Sequence, residues 1–344
     1  MSDIRTAFDD QARSCRQLGS ELTARIVETL GEVLSHHNGA VAQKVRGWQG
    51  DITSRGHSVP LRMSGALHGL VLDGAAPDLE VAYRKGDVPA SLIAEVLVTH
   101  ELRILDWLQF APQTNEVGRS AALIAAASFA IGQLDHPLPL ALSELGASAG
   151  LNLNFPDYAL TVGGKRIGPA NAPITLQPDW SGPLPGHARL QSVSRRGVDL
   201  SPLDHTDPLR MRAYIWPDQP ARLERLDAAI AHAADHPPEL EKGDASDWLE
   251  TQILYRQGEL SFVYHTVAFQ YFPADVKRRV TERLQRAGQA ATASAPLAHF
   301  SMEADEVAGG AALTLELWTG DAHRWHLGRA DFHGRWIDWQ PRTL

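Results

Sequence analysis

The stretch that most constrains this chain is Leu140–Asn152, where an apolar run ends in an acid and breaks into small residues. Leu138, Leu140 and Leu142 follow Pro137, and Glu144 closes the run. Gly146-Ala147-Ser148-Ala149-Gly150 then hands over to Leu151 and Asn152, where a helix can begin. Small side chains at a strand-to-helix junction let main-chain N–H groups approach a ligand closely. Two chemistries share this outline. One is a nucleotide-type cofactor loop with an acid at the strand end. The other is a Gly-x-Ser-x-Gly elbow in which Ser148 is the nucleophile.

On either side of that stretch the hydrophobic period changes. Upstream, Leu22, Ile26, Leu30 and Val33 recur at helical spacing with Ser20 placed to cap them. Gly39–Trp48 and Ala90–Leu108 read as further helices, while the several glycines of 55–72 leave that segment open. The run Ala121–Ile131 is apolar all round and reads as a buried helix, too short for the ~20 residues that span a bilayer. Downstream, strands alternate with helices, which predicts an α/β fold with a doubly wound sheet. The expected division is a helical N-terminal domain over 1–135 and an α/β domain over 136–344. An insertion at about 158–192 holds a hairpin (Tyr158–Val162, Lys165–Ile167) and a Pro- and Gly-rich excursion.

Composition narrows the classes of function. Of 344 residues, 44% are hydrophobic and 21% charged, which suits a globular chain of about two domains. Cys15 is the single cysteine, so the chain holds neither an internal disulfide nor a cysteine zinc site. The start Met1-Ser2-Asp3-Ile4-Arg5 lacks the apolar core of a secretory signal, and the expected compartment is the cytoplasm. A net charge of −9 argues against a general nucleic-acid surface.

Three acids arrive where strands are expected to end: Glu144, Asp199 and Asp244. Ligands of open parallel sheets bind beyond the carboxyl ends of strands, so such acids can accept hydrogen bonds from ribose hydroxyls or an amino group. Each alone reads equally as a turn or cap residue. The cluster Gln113-Thr114-Asn115-Glu116-Val117-Gly118-Arg119-Ser120 precedes the buried helix. It is either a helix cap or, through Gln113, Asn115, Glu116 and Arg119, the rim of a substrate pocket. The pairs His232/His236 and His323/His326 have metal-like spacing, but 15 histidines make chance pairs common and no metal is expected.

Glu144–Gly150, Gly197-Val198-Asp199-Leu200-Ser201-Pro202 and Gly243-Asp244-Ala245 resemble the first three motifs of class I S-adenosylmethionine-dependent methyltransferases. Leu313–Ala330 is similar to the antiparallel end of that fold. Gln113–Ser120, Gly146–Leu153, Trp216–Gln219 and Tyr264–Pro273 resemble, over nearly the whole chain, an uncharacterised bacterial domain-of-unknown-function family. The methyltransferase resemblance implies a Rossmann-like sheet holding S-adenosylmethionine. Glu144, Gly146, Ser148 and Gly150 would line its methionine and ribose, Asp199 would meet the ribose hydroxyls, and Asp244 with Ala245 the adenine. His265 would face a small-molecule or protein acceptor as the catalytic base. Pro156, close behind the glycine loop, and the long link to Asp199 depart from the pattern.

Two other readings compete. A serine hydrolase would use Ser148 with Asp244 and His299 or His333, although no His-Gly-Gly oxyanion loop lies upstream. A non-catalytic binding protein of the same fold would use the aromatic residues, notably Trp216, Trp318, Trp325, Trp336 and Trp339, as pocket or interface.

Overall fold

The computed structural model describes residues 4–344, so Met1–Asp3 of the expected leaderless start lie outside the described residues. Seven helices come first: α1 (Ile4–Gln17), α2 (Glu21–His36), α3 (Ala40–Arg46), α4 (Val59–Leu72), α5 (Pro77–Lys85), α6 (Ala90–Thr99) and α7 (Glu101–Trp107). Then α8 (Ser120–Gly132) leads into β1 (Leu140–Leu145), and the insertion carries β2 (Ala159–Val162), β3 (Lys165–Ile167), β4 (Thr175–Leu176) and β5 (Asp179–Ser181). The middle of the chain continues through β6 (Ser192–Asp199), α9 (Leu209–Ala213), α10 (Pro220–Asp235), β7 (Glu239–Lys242) and α11 (Ala245–Thr251). The last elements are β8 (Leu260–Thr266), α12 (Ala274–Ala290), β9 (Leu297–Glu303), β10 (Ala311–Trp318), β11 (Ala322–Ala330) and β12 (Trp336–Thr343).

Two compact units divide these elements: 4–114 with 207–224, and 115–206 with 225–344. The break falls at Thr114/Asn115, so Asn115–Ser120 of the polar cluster and α8 belong with the sheet.

In the first unit the apolar stripe of α2 (Ile26, Leu30, Leu34) is fully buried with Phe8 and Ala12 of α1. The glycines of α4 have a packing reason: Gly65 lies against the Tyr214 ring and Gly69 against Trp107, where side chains would collide. Mid-helix glycine costs about 1 kcal/mol relative to alanine; here it admits two aromatic rings. The expected single helix over 90–108 breaks into α6 and α7 at His100, whose φ of −112° leaves the helical range.

Distant chain is drawn into this unit by a cap. Ser20 Oγ accepts the Thr23 amide at 3.2 Å and donates to Asp218 Oδ1 at 2.5 Å. Asp218 Oδ2 takes the Leu22 amide at 3.0 Å, and the Gln219 amide group donates to the Leu18 carbonyl. Asp218 therefore satisfies helix-start donors that α2 cannot satisfy itself.

The second unit is mixed α/β, organised on a nine-stranded sheet of order β5-β12-β11-β10-β9-β8-β1-β6-β7. Strands β7, β6, β1, β8 and β9 are mutually parallel, whereas β9 to β12 form an antiparallel meander. Strand β8 is buried at every position, as a central parallel strand covered on both faces must be. The expected hairpin forms from β2 and β3 in a separate three-stranded sheet, and β5 of the excursion joins the large sheet beside β12. Leu145, Val198 and Val263 pack with Trp248 and Val280 of α11 and α12. Alternation then turns Glu144 and Tyr264 to the opposite face, where the turn 151–157 and α8 lie.

Among the described residues no helix is long and apolar enough to cross a membrane. Asp218→Ala should destabilise the protein by about 1–2 kcal/mol, the worth of a helix cap, read as a lower urea midpoint. Combined with Ser20→Ala the loss should be less than additive, because both substitutions remove one network.

Candidate functional site

The parallel strands run β7-β6-β1-β8-β9, so chain order reverses between β1 and β8. A crevice beyond the carboxyl ends of such strands is where open sheets place ligands. Glu144, Asp199, Asp244 and His265 lie at or just beyond the carboxyl ends of β1, β6, β7 and β8. What they do locally is more specific.

Leaving β1, the chain turns through Gly146 (φ 73°), Ser148 (φ 55°) and Gly150 (φ 71°), all left-handed. The turn is consumed by its own surroundings. The amides of Gly146 and Ala147 donate to the Val198 carbonyl, that of Ser148 to Asp199 Oδ2 at 2.9 Å, and that of Gly150 to Ala147. Leu151 donates to Asn115 Oδ1 at 2.7 Å. A Cβ on Gly146 would stand 2.6 Å from that of Ala268, and one on Gly150 2.9 Å from Pro238 and Leu240. The glycines here admit neighbouring chain. Ala147 through Pro156 is buried throughout.

Asp199 anchors the same turn: its other oxygen accepts the Ser201 amide at 2.8 Å, and Leu203 donates back to the Ser148 carbonyl. Asp244 caps α11, taking the amides of Ser246 and Asp247 and the Ser246 hydroxyl, with Ala245 buried as the first helical residue.

The polar cluster before α8 joins this arrangement. Asn152 Oδ1 accepts the Ser120 hydroxyl at 2.7 Å, and its Nδ2 donates to the Glu116 carbonyl. Glu116, 2% exposed, takes the Gly118 amide and faces Arg225 at 3.5 Å. Arg119 donates from Nε to the Phe332 carbonyl and from Nη1 to that of Thr266. Asn115, Glu116 and Arg119 thus reach four other chain segments, at 151–152, 225, 266 and 332, while Gln113 falls in the other compact unit.

Glu144 sits at the centre, 2% exposed, and the Tyr264 hydroxyl approaches its Oε2 at 3.4 Å. Burial drives its carboxyl well above the ordinary range; Tyr264 and the Arg119 guanidinium oppose the rise and Asp199 adds to it. Burial thus favours the protonated form of this acid.

His265 lies on the other face, its side chain 2% exposed. Its Nδ1 meets Glu303 Oε1 at 2.8 Å and its Nε2 meets His299 Nε2 at 3.1 Å. Glu303 also accepts the amides of Ala268, Phe269 and Gln270, fixing the loop after β8. Burial works to raise the Glu303 carboxyl, but the His265 and amide hydrogen bonds outweigh it and hold the group low. Burial, then His265, pushes His299 well below its ordinary value. Chemically the trio is a loop clamp, and His265 positions Ala268–Gln270. Sequence reasoning missed Glu303, which lies 38 residues from its partner; no local signal joins the two.

Backbone strain marks the same place. Among the described residues Ser58, Ser148 and Val267 are the non-glycine positions at positive φ. The latter two follow neighbouring strands β1 and β8, and Val267 is β-branched, for which this region is costly. Ser148 Oγ is buried and has no hydrogen-bond partner among the described residues. Among the described residues no histidine is hydrogen-bonded to it. The described residues contain no group of three His, Cys, Asp or Glu disposed to hold a metal ion. His232 Nε2 is instead bonded to Asp157 at 2.9 Å, with His236 stacked on its ring.

Residues 5–339 match the model of a family described as an uncharacterized protein conserved in bacteria, DUF2332. The chain belongs to this family. No curated protein and no solved structure matches it. The motif around Asn115–Ser120 and that around Gly146–Leu153, far apart in sequence, are joined through Asn115, Asn152 and Ser120.

Glu144→Gln isolates the buried acid. A folded pKa raised above the unfolded one means the folded state binds the extra proton. Stability from that proton is complete below the unfolded carboxylate pKa and is lost as pH rises through the folded one. Urea midpoints of the wild type should fall across this window, by up to about 1.4 kcal/mol per pH unit. Glu144→Gln should remove that slope and be the more stable protein at neutral pH.

Proposed function

We propose that this chain is a small-molecule-binding protein on a Rossmann-like, methyltransferase-type sheet, whose glycine loop serves the fold and not S-adenosylmethionine. The observation that carries this reading is that the loop is spent. The amides of Gly146, Ala147, Ser148 and Gly150 donate within the protein, the spaces over Gly146 and Gly150 are filled by side chains, and Ala147–Pro156 is buried. Asp199 would have to serve ribose hydroxyls while already accepting two amides, and Asp244 is committed to α11. These residues do not fit the cofactor in the manner the resemblance implies, and no methyl-transfer step is derived from them.

A second reading keeps S-adenosylmethionine-dependent methyl transfer to an unidentified acceptor. It is favoured by one observation, the strain at Ser148 and Val267 on adjacent strand ends, since strained backbone collects at ligand sites. Here Glu144, Gly146, Ser148, Gly150, Asp199, Asp244 and Ala245 would meet the cofactor. Gln113, Asn115, Glu116 and Arg119 would orient the acceptor, and His265 would act through the loop it clamps.

Calorimetric titration with S-adenosylmethionine and S-adenosylhomocysteine separates the two. The binding-protein reading expects no saturable heat at about 1 mM ligand, where a Kd of that size corresponds to −4.1 kcal/mol. Saturable heat that Asp199→Ala abolishes without unfolding the protein would sink it. A fluorophosphonate should leave Ser148 unreacted, because among the described residues no base is hydrogen-bonded to its hydroxyl.

A further inference from the structure

The first compact unit carries an unassigned cavity of about 340 Å³ on its surface. Leu102, Arg103, Asp106 and Trp107 of α7 form one wall, and Asp207, Leu209 and Arg210 at the start of α9 form the other. This volume is at the lower end for small-ligand pockets.

Its charges are unusually placed. Arg103 is paired with Asp73, outside the cavity lining. Arg210 has no ion-pair partner among the described residues. Its guanidinium carbon lies 3.6 Å from the Phe110 ring centroid and 5.4 Å from that of Trp107. Its N–H groups meet no hydrogen-bond or ion-pair partner among the described residues, and neither does the Asp207 carboxylate. Opposite charges therefore line one cavity without meeting. Trp107 cannot drift to fill it, since its Nε1 donates to the Tyr214 hydroxyl at 3.0 Å and its ring lies on Gly69.

Stacking covers the face of a guanidinium and leaves its edge for a planar oxyanion, which it grips with two parallel hydrogen bonds. Asp207 and Asp106, whose own contact is a 3.4 Å bond from Gln109, supply an acceptor for an ammonium. Leu102, 81% exposed, and Leu209 add apolar surface to the same lining. A simple anion would meet two acids, and a simple cation would meet Arg210. One class of molecule satisfies both poles.

We infer that this cavity binds a small zwitterion, an α-amino acid with an apolar side chain, its carboxylate on Arg210 and its ammonium on Asp207 and Asp106. The inference names a ligand and a seat beyond the reading above, and it does not depend on what occupies the end of β1. Its test uses other ligands and residues, so the two can fail separately.

The 344-residue chain is titrated calorimetrically with L-leucine and L-phenylalanine, then with N-acetyl-L-leucine, L-leucinamide and inorganic phosphate. Saturable binding of the free amino acids is expected, with each blocked form at least ten-fold weaker, a loss of about 1.4 kcal/mol. Arg210→Gln and Asp207→Asn should each weaken leucine binding at least ten-fold while leaving the thermal melt unchanged. Arg210→Lys should recover only part, because it restores the charge and not the fork. No saturation by either amino acid up to about 10 mM overturns the inference. So does N-acetyl-leucine or phosphate binding as tightly as leucine, or an affinity that Arg210→Gln leaves intact.

Discussion

A main-chain amide buried away from water must find an acceptor, and the turn after β1 is buried from Ala147 onward. That requirement organises the second unit. A tight run of left-handed residues cannot pair its own amides in a ladder, so other segments must supply oxygen. Val198 gives a carbonyl, Asp199 a carboxylate, and Asn115 its side-chain amide. Asn152 and Ser120 then close the link between the cluster before α8 and the sheet. Leaving such a group unsatisfied costs about 1–3 kcal/mol, and several are clustered here.

The same logic changes what small residues mean. Glycine in a strand-to-helix turn announces close approach, but not what approaches. At Gly146 it is Ala268, at Gly150 Pro238 and Leu240, and Gly197 in β6 makes room for Ala147. Acids at strand ends carry a parallel ambiguity. Glu144 is buried with its carboxyl pushed well above the ordinary range, Asp199 braces a loop, and Asp244 caps a helix. One motif pattern thus contains three different electrostatic situations, distinguished only by burial and partners.

Much of the architecture was legible because it is written locally. The all-apolar Ala121–Ile131 had to be an interior helix, and the hairpin around Gly163-Gly164 formed where the turn residues stood. The antiparallel pairing of β10 with β11 also formed across Gly320-Asp321. The glycines of 55–72 obscured α4, since their justification lies in Tyr214 and Trp107, residues far along the chain. The break at His100 and the short β5 at the sheet edge were equally hidden. Asp218 holds the start of a helix almost two hundred residues away, a pairing that no local signal marks.

Sequence by itself determined the sequence of elements: helices first, then strands alternating with helices, with small residues where the first strand ends. Period and turn chemistry act over a few residues, so those statements needed nothing distant. Tertiary structure decided what each conspicuous residue is for. Whether a carboxylate is free or committed, a glycine open or filled, a histidine accessible or clamped, depends on groups that reach it only through the fold. His265 shows this most plainly. Its position at the end of β8 was readable in the chain, but its partners Glu303 and His299 arrive on another strand, and they set its role.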